Sequence, residues 1–385
     1  MQYRKFGNLG YDVSLLGMGC MRLPRMVGHA PDSAPVDREK AYELIRYAAE
    51  NGVNYFDTAF VYHKQTSEEV LGEALEGGLR KKVKIATKLP LRLMETDADI
   101  RKNLELSLKK LRTDFIDIYI VHMIASNSWE EMKARKICEQ FFKFKEEGLV
   151  GAIGFSIHGP YDLFKEALNY QPWDMCLLQQ NMLDIDYEVT EQAVFDAAEK
   201  GLGVAIMEPL RGGGLANAPR SVKAIYDSYD KDRKPAEWAF RHLVNLPQVN
   251  TILSGMTTME QLKENIELFK KPDMLPNCLN EKEKDIIVKA RAAYKSIVTV
   301  PCTTCDYCMP CPHNVDIPGT FAKYNEGMMF ESFNQPRRTY MFQTNGGKSA
   351  DKCTGCGECE PKCPQKINII EELKVAHDAL KGWVE

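Results

Sequence analysis

No apolar run in this chain reaches the ~18 residues that a membrane-spanning helix needs, so the sequence predicts no membrane span. It has no basic excess either. Fifty Lys and Arg stand against 54 Asp and Glu, a net charge of −4, which speaks against a nucleic-acid partner. The opening MQYRKFGNLG lacks the apolar stretch of a secretory signal, and a cytoplasmic location is expected from that. Cysteine is sparse over the first 300 residues, where only Cys20, Cys138, Cys176 and Cys278 occur. The other eight crowd between Cys302 and Cys363. A disulfide framework fits poorly with a reducing compartment, and metal binding is the better reading of that crowding.

What fills the first part is a repeated alternation. Short apolar runs read as strands at Val13–Gly19, Asn54–Ala59, Val83–Lys88, Phe115–His122, Gly151–Ser156, Met175–Asn181, Val204–Glu208 and Thr251–Gly255. Amphipathic stretches between them read as helices, among them Arg38–Glu50, Ser67–Leu79, Asp97–Leu111, Trp129–Glu147, Tyr161–Asn169, Glu188–Lys200 and Pro235–Asn245. Apolar strands separated by helices imply a parallel sheet covered on both faces. Eight such units in about 260 residues predict an α/β fold of the closed (β/α)8 TIM-barrel type. An open doubly wound sheet is the alternative, but GMGCMRLP after the first strand lacks the third glycine of a G-x-G-x-x-G turn. Residues 1–12 read as a hairpin that could cap the bottom of the barrel. A helix is expected over 281–296, and a change to Cys, Pro and Gly puts the domain boundary near 296–301. The expected domains are therefore a barrel over 1–296 and an iron–sulfur domain over 297–385.

Catalytic groups of such barrels sit at the C-terminal strand ends. Those ends carry Asp57, Lys88, His122, Ser156, Glu208 and Ser254, with Tyr62 just beyond Asp57. Each has a plain structural reading: a turn cap, a solvated charge, a buried histidine, loop packing. Their coincidence on one rim is what suggests a site.

In the tail, C353-TG-C356-GE-C359-EPK-C363-P follows the ferredoxin pattern C-x2-C-x2-C-x3-C-P. C302-TT-C305-DY-C308-MP-C311-P is one residue shorter before its last cysteine. Two such runs favour 4Fe-4S clusters over zinc, which also binds C-x2-C pairs. By analogy with ferredoxins, Cys302, Cys305, Cys308 and Cys363 hold one cluster, and Cys353, Cys356, Cys359 and Cys311 the other. Lys362, Lys366 and Lys374 either form a basic face for a ferredoxin or another electron carrier, or are simply solvated.

The motifs NYFDTAFVY, IATKLP, DIYIVH, GAIGFS and TTMEQLKEN resemble, in this order, segments of the aldo-keto reductases over residues 1 to about 270. With the cysteine-rich tail, the chain resembles a subgroup of that family with a C-terminal ferredoxin-like domain. The resemblance implies carbonyl reduction with Tyr62 as general acid. Lys88 would lower the phenol's pKa, Asp57 would hold Lys88, and His122 would position the carbonyl oxygen. It implies a nicotinamide cofactor, NADH or NADPH, near Ser156, Gln179, Met207, Leu210, Gly212, Ser254, Gly255, Gln261 and Asn265. Ser156 would bind the carboxamide and Ser254 would lie near the phosphates, while Arg211 and Gly212–Gly214 could meet the pyrophosphate through backbone N–H groups. The sequence departs from the family at Leu177, where relatives commonly carry a Gln, at Met207, where many stack a Tyr, and at Gly255 and Gln261, where NADPH-preferring members carry cations. These departures keep a flavin open as an alternative, fed with electrons from the clusters. They also keep open an electron-transfer protein whose barrel mainly docks. The lid loops, about 123–130 and 211–234, carry no motif that names a substrate.

Overall fold

The computed structural model describes residues 1–27, 34–126 and 128–382. Position 127, in the first expected lid loop, lies outside them. The described chain divides into two compact units, one made of Met1–Leu210 with Ala239–Asn280, the other of Arg211–Trp238 with Glu281–Glu385.

The first unit is the barrel. After a hairpin of β1 (Tyr3–Lys5) and β2 (Asp12–Ser14), eight strands follow: β3 (Leu16–Gly19), β4 (Tyr55–Asp57), β5 (Lys84–Leu89), β6 (Ile116–Ile124), β7 (Val150–Ile157), β8 (Met175–Gln179), β9 (Gly203–Met207) and β10 (Thr251–Ser254). They pair in parallel in chain order, and β10 closes the ring against both β9 and β3. The expected (β/α)8 barrel is therefore the fold. The first expected strand is divided: Val13 and Ser14 pair back onto the hairpin, and only Leu16–Gly19 enters the barrel. The expected helix Trp129–Glu147 is likewise two, Trp129–Ala134 and Ile137–Glu146, broken where Lys136 takes φ 48°.

The strands are held by what they bury. Tyr55, Ala86, Ile118, Ile120, Ala152, Met175, Leu177 and Leu253 fill the interior, which closes the lower barrel as a packed core rather than a pore. The hairpin seals the base. Phe6 is fully buried there, edge-on to Tyr55 at 5.5 Å between ring centres. The backbone of Gly7 comes so close to Gly203 that a Cβ would lie 2.3 Å from its nitrogen, at a φ of +51° that glycine adopts freely. Asn8 donates its N–H to Gly201 O at 2.9 Å. Arg4 ties the same end down by donating to the carbonyls of Val244, Leu246 and Val249.

The second unit has its own core, in which Val315, Phe321, Tyr340, Ile369 and Leu373 are buried. These residues come from the helices Ile317–Met329, Asn334–Asn345 and Ile369–Leu380, with Val315 just before the first. Part of the expected second lid loop is a helix here, Arg220–Asp227. Tyr226 stacks on Trp238, and Arg233 lies over that indole while pairing with Glu283 at 2.8 Å. No described helix is long and apolar enough to cross a membrane.

Truncating a fully buried phenyl removes its transfer free energy and leaves a cavity. Phe6→Ala is expected to cost about 3–5 kcal/mol, read as a lower denaturation midpoint of the barrel's circular dichroism.

Candidate active site

Four side chains meet at the top of the barrel because strand register puts them there. Asp57 ends β4, which pairs Asp57 with Ala86 of β5, so Lys88 emerges two residues further along on the same inward side. Its nitrogen lies 2.5 Å from Asp57 Oδ1, 2.6 Å from Thr58 O and 3.2 Å from Tyr62 Oη. An ammonium has three N–H donors, and these three acceptors match them. Lys88 is 1% exposed and Asp57 3%, so the ion pair is out of water, whereas Tyr62 and His122 are half-buried and open to the mouth. The imidazole of His122, at the upper end of β6, stands edge-on to the Tyr62 ring at 5.9 Å. The carbonyl of Thr58 is a third anchor for Lys88 that the sequence did not reveal, since any residue offers one.

The electrostatics differ from expectation in one respect. Burial pushes the Tyr62 phenol above its ordinary pKa, Lys88 opposes that, Asp57 adds to it, and the net direction is upward. The expected lowering by Lys88 is thus outweighed by desolvation, and the phenol keeps its proton at neutral pH. Burial would depress Lys88, but Asp57 and the Tyr62 oxygen more than compensate, so the ammonium is held above its usual value. Burial raises Asp57 against the pull of Lys88. Its second oxygen, Oδ2, is buried without a partner among the described residues, which leaves an acceptor for a hydroxyl-bearing ligand or a water.

The residues expected around a nucleotide are distributed unevenly. Gln179 and Met207 are register partners on β8 and β9, both half-buried. Leu177, one layer lower, belongs to the interior packing. Ser254 is 4% exposed and accepts from Asn265 Nδ2 at 3.1 Å, so those two are brought together. Gln261 is engaged locally: its side-chain oxygen accepts from Thr257 and Thr258 N–H and caps the helix Met259–Lys270. A Cβ on Gly255 would lie 2.7 Å from Cγ of Arg22. The aliphatic stem of Arg22, from the turn after β3, thus packs against Gly255, a neighbour that sequence distance concealed. Ser156 is buried, and its Oγ accepts from Met123 N–H at 2.8 Å. Leu210 is half-buried at the end of the first unit's β9 loop. Gly212 lies in the turn Arg211–Ala216 of the second unit, where Arg211 sits over the Phe330 ring at 5.5 Å.

In the second unit the eight tail cysteines line two cavities. Cys302, Cys305, Cys308 and Cys363 border one. Cys311, Cys353, Cys356 and Cys359 border the other, which Cys308 also touches. The last cysteine of each run thus faces the cavity of the other run. Among the described residues, no three His, Cys, Asp or Glu side chains gather closely enough to hold a single metal ion. Six of the eight cysteines pack against the unit's apolar core, and Cys305 and Cys356 are exposed.

Removing one member of a buried ion pair strands the other. Lys88→Met is expected to lose about 3–5 kcal/mol of stability in urea unfolding, and Lys88→Met/Asp57→Leu to regain much of it.

Residues 15–275 match the Aldo/keto reductase family, and residues 301–368 match a 4Fe-4S dicluster domain. The chain is 27% identical over 299 residues to the uncharacterized oxidoreductase YqkF of Bacillus subtilis, covering 69% of this chain and 90% of that protein. It is 30% identical over 297 residues to probable aldo-keto reductase 1 of Glycine max (68% and 82% covered). It is 27% identical over 294 residues to L-galactose dehydrogenase of Arabidopsis thaliana (69% and 87%). The solved holo form of aldo-keto reductase AKR11C1 from Bacillus halodurans superposes with a TM-score of 0.62 at 26% identity, over 75% of this chain and 96% of that one. A closed eight-stranded barrel, the Asp57–Lys88–Tyr62 cluster at its mouth and this family match lead to one conclusion: the chain is an oxidoreductase of the aldo/keto reductase family, with a 4Fe-4S domain following the barrel.

Proposed function

We propose that the barrel reduces an aldehyde or ketone to an alcohol with NADH or NADPH, and that the tail carries two 4Fe-4S clusters. The observation that carries the first part is the phenol of Tyr62, 3.2 Å from a buried ammonium and half-open to the mouth. When bound, the nicotinamide supplies the hydride. Tyr62 supplies the proton to the carbonyl oxygen. Its raised pKa keeps that proton in place until the oxygen becomes basic, and Lys88, already charged, then stabilises the phenolate left behind. Asp57 keeps Lys88 ionised and aimed. His122, edge-on to Tyr62, is placed to hold the carbonyl oxygen in line with the acid. Gln179 and Met207 on one side of the mouth and the Ser254–Asn265 pair on another are the groups offered to a nucleotide, with Arg22 beside Gly255 as the cation for its phosphates.

For the tail, the two cysteine-lined cavities support one cluster on Cys302, Cys305, Cys308 and Cys363 and a second on Cys353, Cys356, Cys359 and Cys311. Family matches that end at 275 and resume at 301 support a division near 296–301, whereas the compact units put Arg211–Trp238 and the helix Glu281–Ser296 with the tail. A second reading draws on Leu177, buried where relatives commonly offer an amide. In it the clusters pass single electrons from a carrier such as ferredoxin to a flavin or an unusual substrate in the barrel.

Tyr62→Phe is expected to lower NAD(P)H-dependent aldehyde reduction at least about 100-fold while nucleotide still binds. Retained turnover would refute the acid assignment. Since Tyr62 must be protonated to act and its pKa lies above the ordinary ~10, kcat/KM for reduction should stay level from about pH 6 to about pH 9 and decline only beyond. Anaerobically purified protein should hold about eight irons per chain, falling to about four in Cys363→Ser. Its visible spectrum before and after NADH addition separates the two readings: a flavin band, or bleaching of the cluster absorption by NADH, favours the second.

A further inference from the structure

The register between β6 and β7 slips once, at the site. Val121 pairs with Phe155 and the next pair is Ile124 with Ile157, so His122 and Met123 together oppose the single residue Ser156. This is a β-bulge, a device that re-aims side chains and leaves its extra residue outside the ladder. The extra residue pays in backbone conformation: Met123 stands at φ 58°, in the left-handed region that a methionine rarely occupies. Its N–H, lost to the ladder, has to find another acceptor.

Ser156 provides one. Its side-chain oxygen, in a residue 2% exposed, accepts from Met123 N–H at 2.8 Å and lies 3.5 Å from Val121 O. One hydroxyl therefore holds the backbone on both sides of His122. Ile118 and Ile120 of the same strand face the barrel interior, His122 continues that alternation, and the bulge that contains it fixes the backbone from which the imidazole leaves the strand. There it stands edge-on to Tyr62.

We infer that Ser156 is a positioning residue for His122: it fixes the bulge that presents the imidazole to Tyr62, and its influence on turnover runs through that ring. The inference rests on the proposed role of His122 in carbonyl reduction. Without the hydroxyl, Met123 N–H loses its acceptor inside the protein, its left-handed conformation loses its support, and the His122 backbone relaxes toward a regular strand. Threonine keeps the hydroxyl. Glycine at position 123 removes the conformational penalty that the hydroxyl offsets.

The test uses the full chain, purified anaerobically, with 4-nitrobenzaldehyde and NADPH. Ser156→Ala should lower kcat/KM for the aldehyde by about 10- to 100-fold, the cost of a slightly misplaced group. The NADPH Kd should stay within about twofold, because the effect does not pass through the nucleotide. Ser156→Thr should restore most of the activity, and Ser156→Ala/Met123→Gly part of it. In a His122→Ala background, Ser156→Ala should cost little more, since coupled residues do not lose independently. Weakened NADPH binding with full kcat at saturating nucleotide would overturn the proposal and make Ser156 a cofactor ligand. Losses that multiply in the double variant would overturn it too. A separate readout needs no turnover: the 15N-imidazole signal of His122, assigned with His122→Gln, should move in Ser156→Ala and return in Ser156→Thr. If the wild-type chain reduces no carbonyl, the proposed reaction fails while this signal still decides the positioning role; an unmoved signal overturns it.

Discussion

A single ammonium organises the mouth of the barrel. Lys88 is out of water, and an isolated charge there would be costly. It is tolerated because each of its donors has an acceptor, from Asp57, Thr58 and Tyr62. Two of these come from the end of β4 and its continuation, one register step from β5, so correct closure of the sheet and correct assembly of the site are the same event. The arrangement also divides the work between burial and charge. Burial keeps the phenol protonated, and the ammonium makes loss of that proton tolerable when it comes.

The second unit meets a different constraint. Its apolar core is small, and small domains draw on metal or covalent links to stay folded. Six cysteines lie against that core. Because each run contributes its last cysteine to the other run's cavity, the chain between the runs is spanned twice. The helices Ile317–Met329 and Asn334–Asn345 lie within that span. Any metal bound in either cavity thus fastens the same stretch of polypeptide, and folding of the unit and loading of its sites are linked.

The barrel was legible in the sequence because its strands are continuous apolar runs, and a parallel sheet covered on both faces demands them. The convergence of Asp57, Tyr62, Lys88 and His122 on one mouth was legible because they lie at, or just beyond, the ends of consecutive strands. The crossed cysteine sets could be read from the ferredoxin pattern despite the shorter spacing of the first run. Other features were hidden for physical reasons. The sign of the Tyr62 shift depends on how much water burial removes, which sequence spacing does not encode. The break at Lys136 and the left-handed Met123 are backbone conformations adopted by residues with no preference for them. Arg22 comes to Gly255 from the far end of the chain, a proximity created only by ring closure. Gln261 matched a cofactor position in the family pattern yet spends its amide on a helix cap, a competition between two uses of one side chain that only geometry resolves.

The sealed base of the barrel has a kinetic corollary. With Phe6 and the hairpin filling the lower opening and interior side chains packed above them, Lys88 can be approached from one direction only. In the proposed reaction the nucleotide and the carbonyl compound share that single entrance, so the one that lies deeper arrives first and departs last. Sequence of arrival in such a vessel is a matter of queueing, imposed by a hairpin at its opposite end.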